Sequence, residues 1–542
     1  MTEAATRLGA STQISNVLLL TVDCLRYAYL AAGGNAMNIC PTINHLARSG
    51  ILCSNARAHG FPSQMTFPTI FTSTLPLDCG GYDAGILNRP RTLVEVLQEA
   101  GLYTTGFSTS PWLGHLFGYA RGFDEFYELF DVNIFWKTFS TVYHKFYYNL
   151  LSGNTISQQE FCRIVGDLFG RYLADMLRQC TVKQQELAEK KFPYHMTLHR
   201  HSFKGLIEAL RSAQREFNND PDTYVVNRLT KDIVHDIALF LSDKKTQCDI
   251  NTSLVKLLDH TLRLLWIQVW RQEYSVPSSY LRRLINETIV RHRQKPFFIW
   301  THFLDVHDNT YVSGRVGLPP DGISLGLQRA RDPGNPAGLK SIYCLRFVDR
   351  QISRIIANLD AEGLLEKTLV VISGDHGTPH TCTEKSPGSL FDELVRVPLI
   401  FYNPQLQPRV VSDSCGLRDI APTILDILGQ DRCSAFEGES LLRQRSADTP
   451  VILESLGAGP GDFQYKPIKM AVLHGKYKLI WHEPGYEKTY SAGNNYLFDV
   501  AADPEERTNL YSSKEHQAIV KELESVVCKR CNTLRKQSRK EE

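Results

Sequence analysis

The stretch TLVVISGDHG, residues 368–377, decides how this chain can fold. It begins with a continuous apolar run, which is typical of a strand buried on both faces of a parallel sheet. The run ends in Asp375 and His376, with a glycine on each side. In open α/β sheets, ligands gather beyond the carboxyl ends of the strands. The stretch therefore predicts a buried strand that delivers a carboxylate and an imidazole to a divalent-metal site.

The beginning of the chain has the same arrangement. The run NVLLLTVDCLR, residues 16–26, places Asp23 directly after an apolar strand and Arg26 three residues later. Because the carboxyl ends of parallel strands meet at one edge of a sheet, Asp23 and Asp375 are expected to lie close together. The two runs therefore predict a metal site as well as a sheet.

Composition excludes several classes of protein. The chain has 542 residues, of which 43% are hydrophobic and 22% charged, as in an ordinary soluble globular protein. Its formal net charge of +2 argues against a nucleic-acid partner, which would need a concentrated basic surface. No segment has the roughly 20 uncharged residues of a transmembrane helix, and residues 1–15 lack a signal-peptide pattern. The 13 scattered cysteines favour a reducing compartment, so we expect a soluble, cytoplasmic protein.

The sequence pattern divides the chain into four segments. Residues 14–130 alternate strand and helix patterns, which favours βαβ units and a mostly parallel sheet. In residues 131–294 strand-like runs disappear, and apolar spacing predicts a helical insertion. Strand patterns resume in residues 295–430. Residues 431–542 combine predicted antiparallel strands with a final helix, which indicates a smaller α+β subdomain.

The helical insertion is predicted from heptad-like apolar spacing. This spacing is clearest in residues 159–177, 201–217 and 254–270. Each stretch is long enough for several helical turns, so one or more helical hairpins are expected.

Short motifs along the chain resemble those of the sulfatase branch of the alkaline phosphatase superfamily. In the main part of the chain they are DCLR (23–26), PTINHLARSG (41–50), FTSTLP (71–76), GFD (122–124), HFLDVH (302–307), GDHG (374–377), RVPLI (396–400) and DIAPT (419–423). Towards the C-terminus they are YKL (477–479), LFD (497–499) and DPE (503–505). The motifs follow the family's order and cover both ends of the chain outside the helical insertion.

This resemblance implies both a fold and a cofactor. The fold would be α/β: a mostly parallel alkaline-phosphatase/sulfatase-like sheet sandwiched by helices, with the large insertion and the smaller C-terminal subdomain. The cofactor would be a divalent cation (Ca, Mg, Mn or Zn) with Asp23, Asp375 and His376 as ligands. The family often has a second acidic ligand directly after the first. That position is Cys24, so the ligand set is expected to be smaller or softer.

The family's nucleophile position falls on Ser63. In true sulfatases this residue begins Cys/Ser-x-Pro-x-Arg, the signal for conversion to formylglycine. The sequence SQMTF, residues 63–67, lacks both the proline and the arginine, so Ser63 is expected to stay a hydroxyl. A helix beginning near Thr66, with Pro68 in its first turn, would place Ser63 at an anion-binding helix N-terminus. Two alternatives are that Thr66 is the nucleophile and that Ser63 only caps the helix.

The remaining candidate residues carry imidazole or positive charge. His307 resembles the family's leaving-group residue, and an imidazole is suited to protonating a leaving alkoxide near neutral pH. His302 is assigned to substrate binding, with the alternatives of a supporting role behind the site or an ordinary core histidine. Arg26 is also a candidate for substrate binding. The family's Lys-x-His pair is not recognisable, and Lys385 would supply the missing positive charge.

The residues and the resemblance together predict a metal-dependent hydrolase. It would cleave a sulfate or phosphate ester of a small molecule or glycan through a serine nucleophile. One alternative is a phosphodiesterase or phosphotransferase of the same superfamily. Another is a non-catalytic descendant that binds an anion or glycan. The sequence is compatible with a homo-oligomer.

Overall fold

The computed structural model describes residues 14–130, 158–188, 200–225, 277–307, 336–378, 389–443, 449–456, 467–484 and 494–538. The chain divides into two compact units. The first comprises Met1–Leu129 and Val276–Glu542, and the second comprises Phe130–Ser275. Within the described ranges, no helix combines the length and apolarity that crossing a membrane requires.

A mixed sheet forms the centre of the first unit. The strands up to residue 416 are β1 (Asn16–Val22), β2 (Ile51–Cys53), β3 (Ala56–Arg57), β4 (Tyr103–Ser108), β5 (Glu125–Glu128), β6 (Phe297–Phe303), β7 (Thr368–Gly374), β8 (Leu399–Tyr402), β9 (Arg409–Val411) and β10 (Cys415–Gly416). Eight of them form one sheet in the order β5-β4-β6-β1-β7-β8-β2-β9, and β3 pairs with β10. Only β8 runs antiparallel to its neighbours β7 and β2. The predicted mostly parallel sheet is therefore confirmed.

Helices cover this sheet. Those of the first unit before residue 430 are α1 (Pro41–Ser49), α2 (Ser63–Thr72), α3 (Leu93–Glu99), α7 (Ser278–His292), α8 (Pro336–Ala361), α9 (Asp392–Val395) and α10 (Ile420–Ile427). On one face, Leu18 and Leu20 of β1 share a buried apolar cluster with Leu46 of α1, Ile285 of α7 and Val348 of α8. Their fully buried side chains exclude water, and this burial is the main source of stability for the sheet.

Helix α2 covers the other face of the sheet through aromatic contacts. Phe71 meets Trp300 of β6 edge to face at a centroid distance of 5.0 Å, and Phe67 does so at 5.9 Å. Such edge-to-face pairs are favourable beyond the area that they bury. His302 lies two residues after Trp300, so it projects from the same face of β6, and Phe67 contacts its ring as well. The helix is thereby held over the carboxyl end of the sheet.

The described residues of the second unit form helices. These are α4 (Gln158–Ala188), α5 (Arg200–Asn219) and α6 (Pro221–Tyr224), and they contain two of the stretches predicted from apolar spacing. Phe169 packs against Phe217 and Tyr224, each at a centroid distance of 5.5 Å. The third predicted stretch, residues 254–270, lies outside the described residues.

The C-terminal part of the first unit is an antiparallel sheet covered by one helix. Its strands are β11 (Val451–Ser455), β12 (Lys469–His474), β13 (Tyr477–His482) and β14 (Tyr496–Asp499), and the helix is α11 (Gln517–Ser538). Leu523 and Val527 of α11 lie in a buried cluster with Met470, Val472 and Leu479. The antiparallel strands and the final helix agree with the sequence pattern.

A buried ionic network joins this sheet to α9 and to the two-stranded sheet of β3 and β10. Lys478 of β13 donates to Asp392 Oδ1 and to Glu506 Oε1, each at 2.6 Å. Arg57 of β3 donates to both oxygens of Asp392, at 3.0 and 2.6 Å. All four side chains are buried, so the two cations and two carboxylates neutralise one another away from water.

Replacing Lys478 with methionine tests this network. The variant would leave two buried carboxylates with one cation, so we expect the free energy of unfolding to fall by about 3–5 kcal/mol. Urea denaturation followed by circular dichroism measures the change.

Lys476→Met is the matched control. Lys476 lies two residues earlier, and its ion pair with Asp499 is solvent-exposed on the lysine side, so its loss should leave the denaturation midpoint unchanged. Equal midpoints for the two variants would show that the buried network does not stabilise the fold.

Candidate active site

Five polar side chains converge beyond the carboxyl ends of three adjacent strands. Asp23 follows β1, His302 lies near the end of β6, and Asp375 and His376 follow β7. Ser63 is the first residue of α2. The ligand atoms of Asp23, His302 and Asp375 all lie within 4.8 Å of one another. The structure thus brings together the residues that the sequence placed at this edge.

The strand register explains why these side chains meet. Val22 of β1 pairs with Phe303 of β6 and with Gly374 of β7. Asp23 and Asp375 are therefore the next residues of neighbouring strands at the same level. Their backbone groups continue the pairing, since Asp375 N–H donates to the carbonyl oxygen of Val22 at 3.4 Å.

The two glycines that flank the Asp375–His376 pair are required by close backbone approaches. A Cβ atom at Gly374 would overlap the carbonyl oxygen of Leu25. One at Gly377 would overlap the carbonyl oxygen of Glu393. Gly377 N–H also donates to the carbonyl oxygen of Leu394 at 2.6 Å. The loop that carries His376 can therefore lie against α9 only without a side chain at residue 377.

Hydrogen bonds hold one oxygen of Asp375 and leave the other facing the site. Oδ1 accepts from the backbone N–H groups of Cys24, at 3.2 Å, and His376, at 2.7 Å. Oδ2 is buried and has no hydrogen-bond partner among the described residues. Asp23 Oδ2 is in the same situation, and its Oδ1 accepts from Cys24 Sγ at 2.7 Å.

Ser63 directs its hydroxyl at His376. The Ser63 Oγ–His376 Nε2 distance is 3.1 Å, and the hydroxyl also interacts with Asp375. His376 Nδ1 lies 2.8 Å from the carbonyl oxygen of Gly377, which can only accept. In the neutral imidazole Nδ1 therefore carries the proton, and the lone pair of Nε2 faces the hydroxyl. The residue predicted as the nucleophile and one predicted as a metal ligand thus lie side by side.

Helix α2 begins at Ser63, and the prediction that it begins near Thr66 was wrong. Pro62 is the N-cap residue, and Pro68 lies inside the helix rather than in its first turn. The hydroxyl of Thr72 donates to the Pro68 carbonyl oxygen at 2.7 Å, and the buried Phe67 helps to hold the helix through the aromatic contacts above. The packing of Phe67 offsets part of the cost of the backbone hydrogen bond that a proline inside a helix removes.

The earlier start of α2 bears on both alternatives for the nucleophile. Thr66 is fully buried and donates its hydroxyl to the carbonyl oxygen of Gly60 at 3.0 Å, so it is not free to attack. Ser63 is not the N-cap residue, and its hydroxyl contacts His376 instead of a helix N–H. Both observations favour Ser63 over the alternatives.

His302 lies beneath the two carboxylates. It is 0% exposed, and its Nε2 lies 3.3 Å from Asp23 Oδ2 and 3.8 Å from Asp375 Oδ2. Its Nδ1 lies 3.1 Å from the hydroxyl oxygen of Thr21. The sequence did not single out Thr21, although a polar residue inside an apolar strand was a signal for a role at the site.

The buried carboxylates have opposite pKa shifts. Burial raises the pKa of Asp23, but the neighbouring imidazoles of His302, His307 and His376 outweigh it and hold that pKa well below its ordinary value. Burial and the charge of Asp23 raise the pKa of Asp375. Two carboxylates this close cannot both ionise easily unless positive charge lies beside them.

The donor set fits a divalent cation. Two buried carboxylate oxygens without hydrogen-bond partners are costly unless a positive charge compensates them. Carboxylates suit calcium, magnesium and manganese, whereas imidazole shifts the preference towards manganese and zinc. The atoms present can therefore hold the ion that the sequence predicted.

The other predicted site residues lie around this centre or outside the described residues. His307 is exposed in the turn after β6, and its charge contributes to the low pKa of Asp23. Arg26 forms an ion pair with Glu393 at 3.2 Å and lines a cavity of about 820 Å³, whose walls do not include any of the five converging residues. Lys385 lies outside the described residues.

The mostly parallel sheet, with carboxylate and imidazole side chains gathered at its strand ends, defines an alkaline-phosphatase-like α/β protein. The family model described as Sulfatase matches residues 15–430, and the chain belongs to the sulfatase family. The resemblance seen in the sequence is therefore confirmed.

Individual comparisons agree with this membership. The chain is 28% identical to "Arylsulfatase K" of Xenopus laevis over 193 residues, 33% of this chain and 35% of that protein. The alignment thus spans about a third of that curated relative. A solved 2-O GAG sulfatase shares the fold with a TM-score of 0.55 at 16% identity, over 98% of this chain and 94% of that one. The phosphonate monoester hydrolase of Agrobacterium radiobacter does so with a TM-score of 0.50 at 17% identity, over 96% of each chain.

Gly377→Ala tests whether the site loop depends on its close approach to α9. The new Cβ would collide with the Glu393 carbonyl oxygen, so either the loop or the helix must move. We expect a loss of stability of about 1–3 kcal/mol, seen as a lower midpoint in thermal denaturation.

Gly166→Ala is the control for this change. Gly166 lies in α4, where the nearest atom to a new Cβ is 3.8 Å away, so alanine should be neutral or mildly stabilising there. A Gly377→Ala protein as stable as wild type would show that residue 377 tolerates a side chain.

Proposed function

We propose that the protein is a metal-dependent hydrolase that cleaves a sulfate or phosphate ester with Ser63 as its nucleophile. The observation that carries this proposal is the position of the Ser63 hydroxyl, 3.1 Å from His376 Nε2 and beside Asp375. Membership of the sulfatase family supports ester hydrolysis as the reaction class.

Asp23, Asp375 and His376 are the proposed metal ligands. A divalent cation bound by them would neutralise charge on the transferred group and lower the pKa of a neighbouring hydroxyl. All three side chains are buried, so little water screens their interactions. The unpartnered oxygens of the two aspartates support this assignment.

Ser63 would act in two steps. Its deprotonated Oγ attacks the sulfur or phosphorus atom, and the bond between that atom and the leaving oxygen breaks. The product is an alcohol together with a sulfate or phosphate ester of Ser63. Attack by water on the same sulfur or phosphorus atom then releases the anion and restores the serine hydroxyl.

The start of α2 favours the anionic group in these steps. Ser63 is the first residue of a ten-residue helix, whose first N–H groups have no intrahelical carbonyl partners. These groups and the helix dipole attract negative charge. The transferred group would therefore lie between the helix N-terminus and the strand ends.

His307 is the proposed general acid. It would donate a proton to the leaving oxygen as the ester bond breaks, which prevents the release of a strongly basic alkoxide. Its exposed position in the turn after β6 leaves it accessible to the alcohol portion of a substrate. Its electrostatic influence on Asp23 supports a position near the metal ligands.

The proposed substrate is a sulfate or phosphate ester of a small molecule or glycan. Arg26, three residues after Asp23, would contact its anionic or hydroxyl groups, and Lys385 would add a second positive charge. Similar proteins include a 2-O GAG sulfatase by name, which supports a glycan. A hydroxyl at position 63, without the formylglycine signal, equally supports phosphodiester hydrolysis or phosphotransfer.

The domain division and the cellular location are also proposals. The compact unit Phe130–Ser275 supports a helical insertion between two parts of one core. Helix α7 packs against α8 and β6 within the first unit. This packing supports assigning residues 278–292 to the core. No disulfide joins the eleven cysteines that the structure describes, which supports a cytoplasmic location.

Ser63→Ala tests the nucleophile. Because no other described hydroxyl occupies its position, we expect the turnover of the best ester substrate to fall by about a thousandfold or more. The measurement is steady-state hydrolysis of aryl sulfates, phosphates, phosphodiesters and phosphonates by wild type and variant.

Ser49→Ala, at the end of α1, is the matched control and should keep wild-type turnover. Unchanged activity of Ser63→Ala would exclude the serine mechanism. Bound metal without turnover of any ester class would favour an anion-binding descendant. Intact-mass analysis that found an aldehyde at residue 63 would contradict the hydroxyl assignment.

His307→Ala tests the general acid. Esters of weakly acidic alcohols need protonation of the leaving oxygen, so we expect their kcat to fall by about 100- to 10,000-fold. Esters of strongly acidic phenols leave without a proton and should lose much less. An equal loss for both kinds of ester would contradict a proton-donor role, and His474→Ala, a residue of β12, is the control.

A further inference from the structure

The unexplained feature of the site is a set of three buried atoms that face one another without partners. These atoms are Asp23 Oδ2, Asp375 Oδ2 and His302 Nε2. Nε2 lies 3.3 Å from Asp23 Oδ2 and 3.8 Å from Asp375 Oδ2, but none of the three makes a hydrogen bond of good geometry among the described residues. They lie within 4.8 Å of one another. Buried polar atoms normally have a hydrogen-bond partner, so three together indicate that something else occupies their centre.

The hydrogen bonds of Thr21 define the tautomer of His302. The Thr21 hydroxyl donates its single hydrogen to the Thr301 carbonyl oxygen at 3.0 Å. Its oxygen accepts from Trp300 Nε1 at 3.3 Å, and it lies 3.1 Å from His302 Nδ1. Since Thr21 has no second hydrogen to give, Nδ1 must be the donor in that contact. In the neutral imidazole, the lone pair of Nε2 therefore faces the two carboxylates.

We propose that His302 Nε2 is a ligand of the metal, together with Asp23, Asp375 and His376. The proposal rests on the metal centre of the proposed function and adds a residue to it. Three lone pairs that face one another repel, and a cation at their centre converts the repulsion into coordination. The N–H group of a metal-bound histidine usually donates to a fixed acceptor, as Nδ1 does to Thr21.

Cys24 is the competing candidate for this role. It occupies the position of the family's second acidic ligand, and its Sγ lies within 4.8 Å of ligand atoms of Asp23 and His376. However, Sγ already donates to Asp23 Oδ1 at 2.7 Å, whereas His302 Nε2 lies 3.3 Å from the other oxygen, Oδ2. His302 Nε2 has no such partner. The geometry therefore favours the imidazole over the thiol as a ligand.

The added imidazole predicts which metal the site prefers. Two carboxylates and two imidazoles form a mixed oxygen and nitrogen set that suits zinc or manganese. Calcium prefers six to eight oxygen ligands, which this buried set does not offer. The full-length protein should therefore bind Zn²⁺ much more tightly than Ca²⁺.

The experiment measures metal binding directly. Metal-free full-length protein is titrated with Zn²⁺ and Ca²⁺ against a competing chelator, and bound metal is counted by elemental analysis. We expect His302→Ala and His302→Gln to lower Zn²⁺ affinity by at least about a hundredfold. Loss of a metal ligand should weaken binding more than loss of the group that hydrogen-bonds to that ligand, which typically costs about 10- to 100-fold. Cys24→Ala, the matched control, should change the affinity by less than about threefold.

Thr21→Val provides a variant that keeps the size of the side chain. It removes the acceptor of His302 Nδ1–H, so Zn²⁺ affinity should fall by about 10- to 100-fold. Circular dichroism of each variant checks the fold. If His302→Ala does not fold, His302→Gln and Thr21→Val still decide the question.

Three results would overturn the proposal: wild-type Zn²⁺ affinity in both His302 variants, a loss confined to Cys24→Ala, or no metal bound by the wild-type protein. In the second case the thiol is the ligand. In the third case His302 is a protonated counter-ion of the carboxylates. Ser63→Ala separates this proposal from the catalytic one, because it should lose turnover and keep most of its Zn²⁺ affinity.

Discussion

The parallel register of β1 between β6 and β7 is the constraint on which the site depends. Backbone hydrogen bonds hold Val22 level with both Phe303 and Gly374, so the residues that follow cannot move apart. This pairing brings Asp23 and Asp375 into one buried place, where two negative charges oppose each other. The stability of the sheet thus keeps the two carboxylates together although they repel each other. Their closeness becomes favourable when positive charge lies beside them.

A second set of interactions supports the loop that carries His376. Asp392 opens α9 and is held by Arg57 and Lys478, which belong to different sheets. Two residues further on, the carbonyl oxygen of Leu394 accepts from the N–H of Gly377. The buried ionic network therefore connects the C-terminal sheet, through one short helix, with the loop that carries His376. This connection gives the C-terminal sheet a role in positioning the site as well as in stability.

The sequence predicted most of the fold and much of the site, and its errors have physical causes. Continuous apolar runs predicted β1 and β7 because burial on both faces is a local property of the sequence. The start of α2 was misplaced because Pro68 usually belongs in a first turn. Aromatic packing of Phe67 and Phe71 on Trp300, which is a tertiary effect, supports the longer helix. His302 was assigned to substrate binding, with a supporting role or an ordinary core position as alternatives, and only the structure shows that it is 0% exposed beside the two carboxylates.

The sequence by itself determined the order of strands and helices, the acidic residues at two strand ends and the serine at residue 63, which lacks the formylglycine signal. These features depend on apolar periodicity and short motifs, which are properties of residues that lie close together in the sequence. Only the tertiary structure decided that His302 faces Asp23 and Asp375 and that Thr21 orients its imidazole. The reason is that Thr21 and His302 are 281 residues apart, and their contact exists only once β1 and β6 have paired in register.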